Sequence, residues 1–83
     1  RQAVFHDRLN PFAWYQLGIA YAKQGDEPRA ALAAAERYSM GRQPKLAMVS
    51  AKTAMAGLPR GSPDWLRAQD VFLVSQTAVE KDD

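Results

Sequence analysis

The chain has 83 residues, no cysteine and a formal net charge of +2. That length holds one small domain, and the missing thiols exclude a disulfide framework and any zinc site built on cysteine. The basic residues are spread from Arg29 to Arg67 without a dense run, which argues against a nucleic-acid face, and no apolar run approaches the ~18 residues that span a membrane. An apolar share of 47% with 10% aromatics argues for a packed globular domain rather than a disordered one.

Residues 1–9 read as the remnant of a preceding helix and the loop after it: apolar Ala3-Val4-Phe5 runs into His6-Asp7-Arg8-Leu9. The first residue is not methionine, so the chain is expected to be a domain cut from a longer protein. The repeat-forming part is expected over 10–80, with a frayed tail at 81–83.

The first full helix is predicted from Asn10-Pro11. Asn10 can cap the first turn, and Pro11 at the first helical position gives up an N–H that would be orphaned anyway. Gly25 is placed to enter the left-handed region that ends the helix. Trp14, Leu17, Gly18 and Tyr21 share one face by the i, i+3, i+4, i+7 rule, with a notch at Gly18 where a second helix can approach.

The second helix is predicted from near Asp26 to about Met40, capped by Asp26. Its interior, Ala30-Ala31-Leu32-Ala33-Ala34-Ala35, is nearly all alanine. Helix propensity accounts for part of that run. The stronger reading is a helix clasped on two sides, with no room for larger groups. Tyr38 is its one large residue near the end, and Gly41 is expected to break it. The third helix is predicted from about Gln43 to Gly57, with a stripe of Ala47, Ala51, Ala54 and Leu58. Gly57-Leu58-Pro59-Arg60-Gly61 should stop it. The fourth is expected to open at Ser62-Pro63-Asp64 and to run through Val79, with Trp65, Ala68, Gln69 and Phe72 repeating the spacing of the first.

These features resemble a tetratricopeptide repeat, a helix–turn–helix unit of about 34 residues with a W-x2-L-G-x2-Y signature. The resemblance implies an all-α fold: about four helices in hairpins, a short right-handed superhelical solenoid fragment. Two registers fit. One is set by Trp14, Leu17, Gly18, Tyr21, Gly25 and Ala30. The other is set by Tyr38, Ala47, Pro59, Trp65 and Phe72, half a repeat away. The second helix then serves as the closing helix of one unit and the opening helix of the next. Gly41 falls one place early in the second register.

The segments Asp7 to Leu17, Gly25-Asp26, Ala33 to Tyr38 and Gly61 to Asp70 resemble, more narrowly, the C-terminal repeat region of bacterial HtpX-like and BepA-like zinc metalloproteases. That resemblance implies periplasmic or envelope quality control, with an upstream catalytic domain carrying H-E-x-x-H. None of that machinery is in this sequence. His6 is the only histidine, so no pair at i, i+4 can share zinc and no nucleophile–base pair can be assembled around a second one. The chain is therefore expected to be non-catalytic and to hold no cofactor.

By analogy with the repeat family, the positions lining the concave face are Phe12, Tyr15, Ile19 and Ala22; Arg29, Leu32, Glu36 and Ser39; and Pro63, Leu66, Asp70 and Leu73. Lysine and asparagine, which would grip a chain-terminal carboxylate there, are replaced by Tyr15 and Ile19. Phe12, Tyr15 and Ile19 form either a groove for an apolar segment or another domain's helix, or a face that packed on a missing upstream helix. Arg29, Arg37, Lys45 and Lys52 read as a solvated outer face.

The expected function is protein–protein interaction: recruiting a substrate or partner for a protease, or packing on the protease domain itself. The alternatives are an adaptor in a non-enzymatic scaffold and, from another class, a small basic nucleic-acid binder. Apolar ends, Phe12, Tyr15 and Ile19 at one side and Val71, Leu73 and Val74 at the other, further suggest a homodimer.

Overall fold

The structure is a computed structural model and describes residues 10–82. The expected upstream remnant, His6 included, lies outside the described residues, as does Asp83. The described residues form four helices: α1 (Pro11–Lys23), α2 (Glu27–Met40), α3 (Pro44–Gly57) and α4 (Pro63–Asp82).

Local chemistry sets the helix starts. The Ala13 N–H donates to Asn10 Oδ1 at 2.8 Å, Arg29 N–H to Asp26 Oδ1 at 3.3 Å, and Trp65 N–H to Ser62 Oγ at 3.2 Å. Each cap satisfies a donor that the first turn leaves orphaned. α3 is the exception, because Gln43 makes no side-chain cap bond.

Two helix ends share one closure. After α1, Gly25 N–H donates to Ala22 O at 3.0 Å and Asp26 N–H to Tyr21 O at 2.9 Å, with Gly25 at φ +79°. After α2, Arg42 N–H donates to Ser39 O at 3.3 Å and Gln43 N–H to Tyr38 O at 2.9 Å. Here the left-handed residue is Arg42, at φ 59°. Gly41, expected to break the helix, stays right-handed at φ −85°. The early glycine of the second register thus leaves an arginine where a glycine is usual. At the other end, α4 continues past Val79 to Asp82, with Lys81 in its last turn, where a cation suits the helix dipole.

α2 is the hub. It packs on α1, on α3 and on α4, while α1 and α3 do not touch.

Two apolar clusters fill the contacts. Ala35, Ala47, Ala51 and Val71 pack with Tyr38 and Phe72; Leu32, Ala54 and Ala68 pack with Ala31, Met55 and Leu58. On the opposite side of α2, Ala33 is fully buried and Trp14 nearly so. Val71 belongs to the core, not to a sticky end: it is buried and packs with Ala35 of α2 and with Ala47 and Ala51 of α3.

The notch at Gly18 is real but shallow. A Cβ there would lie 3.5 Å from Ala33 Cβ and 3.8 Å from Ala30 O, an ordinary contact. Gly57 is the glycine that sterics demand: a Cβ there would lie 2.5 Å from Pro28 Cγ, in a ring that cannot swing aside. Gly18→Ala is therefore expected to stabilise by up to about 0.5–1 kcal/mol through helix propensity. Gly18→Leu and Gly57→Ala are each expected to cost about 1–3 kcal/mol through overpacking. Urea unfolding midpoints check this. Gly57→Ala more stable than the parent would contradict the close contact at Pro28.

Candidate protein-binding surface

α1 is anchored by Trp14 and turns Phe12, Tyr15 and Ile19 outward at 66%, 50% and 40% exposure. The spacing i, i+3, i+7 puts all three on one face. Beside them runs a groove of about 200 Å³. α1 contributes Tyr15, Gly18, Ile19 and Ala22, α2 contributes Ala30, Ala34 and Arg37, and Trp14 completes the lining.

Arg37 was expected on a solvated outer face. It instead lies between two rings, its guanidinium 5.4 Å from the Tyr15 centroid and 4.6 Å from that of Tyr38. Such stacking contributes about 0.5–1 kcal/mol at an exposed site. It ties α1 to α2 and leaves one cation on the groove wall. The α1 residues find a common face, but with α2's alanines rather than with the rest of the expected concave row.

The middle of that row is closed. Leu32 is 5% exposed and sits in the core between α3 and α4, so it cannot meet a partner. Glu36 is 3% exposed and engaged by Arg67 of α4 through two N–H donors, Nε to Oε2 and Nη2 to Oε1, the latter at 2.9 Å. The cause is the α2–α4 contact: the residues that a longer concave groove would display are used to join these two helices. Leu66 and Asp70 are exposed on α4 with Leu73, and α4 does not touch α1.

Arg29 is half exposed and binds within the chain. Its Nε donates to Asp64 Oδ2 at 2.8 Å and its Nη1 to Asp26 Oδ2 at 3.3 Å. The hydrogen bond to Asp64, then the charges of Asp64 and Asp26, hold its pKa above the ordinary value. This clip joins the starts of α2 and α4. Exposed pairs of this kind contribute about 0–1 kcal/mol.

The repeat-signature residues serve packing. Trp14, Leu17, Gly18, Tyr21 and Ala30 lie along α1 and the facing side of α2, and Tyr38, Ala47 and Phe72 lie in or against the α2–α3–α4 core. Trp65 is half-buried under Arg60, whose guanidinium lies 5.8 Å from its ring, and Pro59 is exposed. Among the described residues no three histidine or acidic side chains converge as a metal site, and no helix is long and apolar enough to cross a membrane.

No protein-family model matches the chain, and no curated protein and no solved structure matches it.

The Glu36–Arg67 pair is unequally buried, with side-chain exposures of 4% and 37%. Arg67→Leu strands a buried carboxylate, whereas Glu36→Leu leaves a guanidinium that reaches water. We expect Arg67→Leu to cost about 2–3 kcal/mol, below the ~3–5 kcal/mol of a fully buried broken pair, and Glu36→Leu to cost less. Chemical denaturation of both variants checks the order. Equal losses would contradict the asymmetry.

Proposed function

We propose that the chain is a non-catalytic protein–protein interaction module whose α1–α2 groove seats an amphipathic helix. The observation that carries this reading is internal to the molecule. α4 lies against both α2 and α3, over small residues that include Ala47, Ala51 and Ala54, with Arg67 reaching Glu36. The α1–α2 pair offers a similar bed of small residues, Gly18, Ala22, Ala30 and Ala34, with no third helix on it among the described residues.

The chemistry of the bed specifies its occupant. Phe12, Tyr15 and Ile19 supply the apolar flank, as in helix-in-groove recognition. Arg37 reverses the charge that Glu36 presents to α4. An occupying helix should therefore carry an acidic residue where α4 carries Arg67. The helix belongs to a partner or to another part of the same protein. A zinc metalloprotease parent, with the module recruiting substrate or packing on the catalytic domain in the periplasm, extends this reading. That extension is supported by the residue resemblance alone.

An isolated domain has one further source of helix, a second copy of itself. At high concentration it is expected to form a dimer that buries the α1 face, and Ile19→Asp is expected to return it to monomer without unfolding it. Sedimentation across a concentration series, with circular dichroism as the folding check, tests this. A wild-type chain that stays monomeric up to millimolar concentration, or a dimer unaffected by Ile19→Asp, would contradict the groove as a helix seat.

A further inference from the structure

A second cleft, of about 320 Å³, lies far along the chain from the α1 face, between the end of α2, the turn into α3 and the second half of α4. Its walls are Ser39, Arg42, Pro44, Val74, Ser75 and Ala78. The volume falls at the small end of ligand sites.

Three features of this cleft point to an anion. Ser75 is only 2% exposed, yet its hydroxyl makes no hydrogen bond among the described residues. Thr53 and Thr77, also on helices, donate back to Val49 O and Leu73 O at 3.1 Å each. That hydroxyl is not sealed in the core but opens onto the cleft, where it can take a partner. Arg42, held at φ 59° on the opposite wall, has no carboxylate partner among the described residues. No acidic side chain is among the lining residues. The start of α3 adds to the positive field. Gln43 does not cap it, Pro44 has no N–H, and the amides of Lys45 and Leu46 make no hydrogen bond among the described residues.

We propose that this cleft binds a small organic carboxylate carried on a short branched apolar group. Arg42 and the Ser75 hydroxyl meet the carboxylate, and Val74, Ala78 and Pro44 cover the apolar tail. One guanidinium matches one negative charge, and the apolar half of the wall favours a carboxylic acid over inorganic phosphate. The same chemistry is offered by a free short-chain acid and by the terminal residue of a peptide. The site uses none of the α1–α2 groove residues, so it stands or falls separately from the helix seat.

Nuclear magnetic resonance titration of the whole chain tests the site. The probes are 3-methylbutanoate as the free acid, N-acetyl-leucine as the chain-end mimic, 3-methylbutanamide as the uncharged control, and inorganic phosphate. Arg42→Gly and Ser75→Ala serve as variants. Both should fold at least as well as the parent, since glycine suits the left-handed position and alanine removes an unpaired hydroxyl. We expect saturable shifts at residues 39–43 and 74–78 with one or both acids, the tighter of the two naming the source. Binding should weaken about tenfold in Arg42→Gly and measurably in Ser75→Ala. Absence of saturable shifts with both acids would overturn the proposal. So would equal affinity for the amide or for phosphate, or unchanged affinity in both variants.

Discussion

The structure depends on the close approach of three helices to α2. Ala33 and Ala35 on α2, with Ala47, Ala51, Ala54 and Ala68 around it, are fully buried. Side chains this small bring helix axes near each other, so that dispersion contacts accumulate along the whole length rather than at a few large anchors. The same crowding explains why, among the described residues, no large side chain is fully enclosed and why Gly57 must be bare against Pro28. A domain held in this way has little slack. A larger group anywhere on the alanine faces of α2 pushes two neighbours at once.

The polar contacts follow from that arrangement. α4 reaches across α3 to α2, and two links secure the reach: Arg29 with Asp64 at the helix starts, and Glu36 with Arg67 further along. The first is exposed and worth little. The second is largely buried and fixes how α4 lies on α2, since only one rotation of each helix lets a two-donor fork meet the carboxylate. Among the described residues α1 has no such partner beyond α2. Its outer face therefore stays open, and Arg37 is held there by tyrosine rings rather than by a carboxylate.

The helices themselves were legible in the sequence because their caps, prolines and small-residue stripes act locally. Asn10, Asp26 and Ser62 cap as their side chains allow. The double packing of α2 was legible from its alanine run. The register was not. W-x2-L-G-x2-Y describes a face, and Trp14 and Gly18 make that face on α2 whichever role α1 plays in a unit. The observed contacts join α1 to α2, and α2 to both α3 and α4. The exposure of the expected surface residues was half legible. Phe12, Tyr15 and Ile19 are exposed as their positions suggest, but Leu32 and Glu36 are closed by a contact between residues more than thirty positions apart. Spacing within one helix carries no trace of that contact, although Glu36, set directly behind the alanine run, is the signal that could have raised it. Arg42 was hidden by Gly41 next to it, since a glycine beside a helix end is the ordinary choice for the left-handed turn.

Hydrogen exchange under native conditions tests most directly whether α2 is the element on which the rest is built. The amides from Ala33 to Arg37 are expected to exchange only through global unfolding, making them among the slowest in the chain, while those near Ile19 exchange through smaller openings of α1. Amides of α2 that exchange as fast as those of α1, while α3 and α4 stay protected, would contradict the central place given to α2.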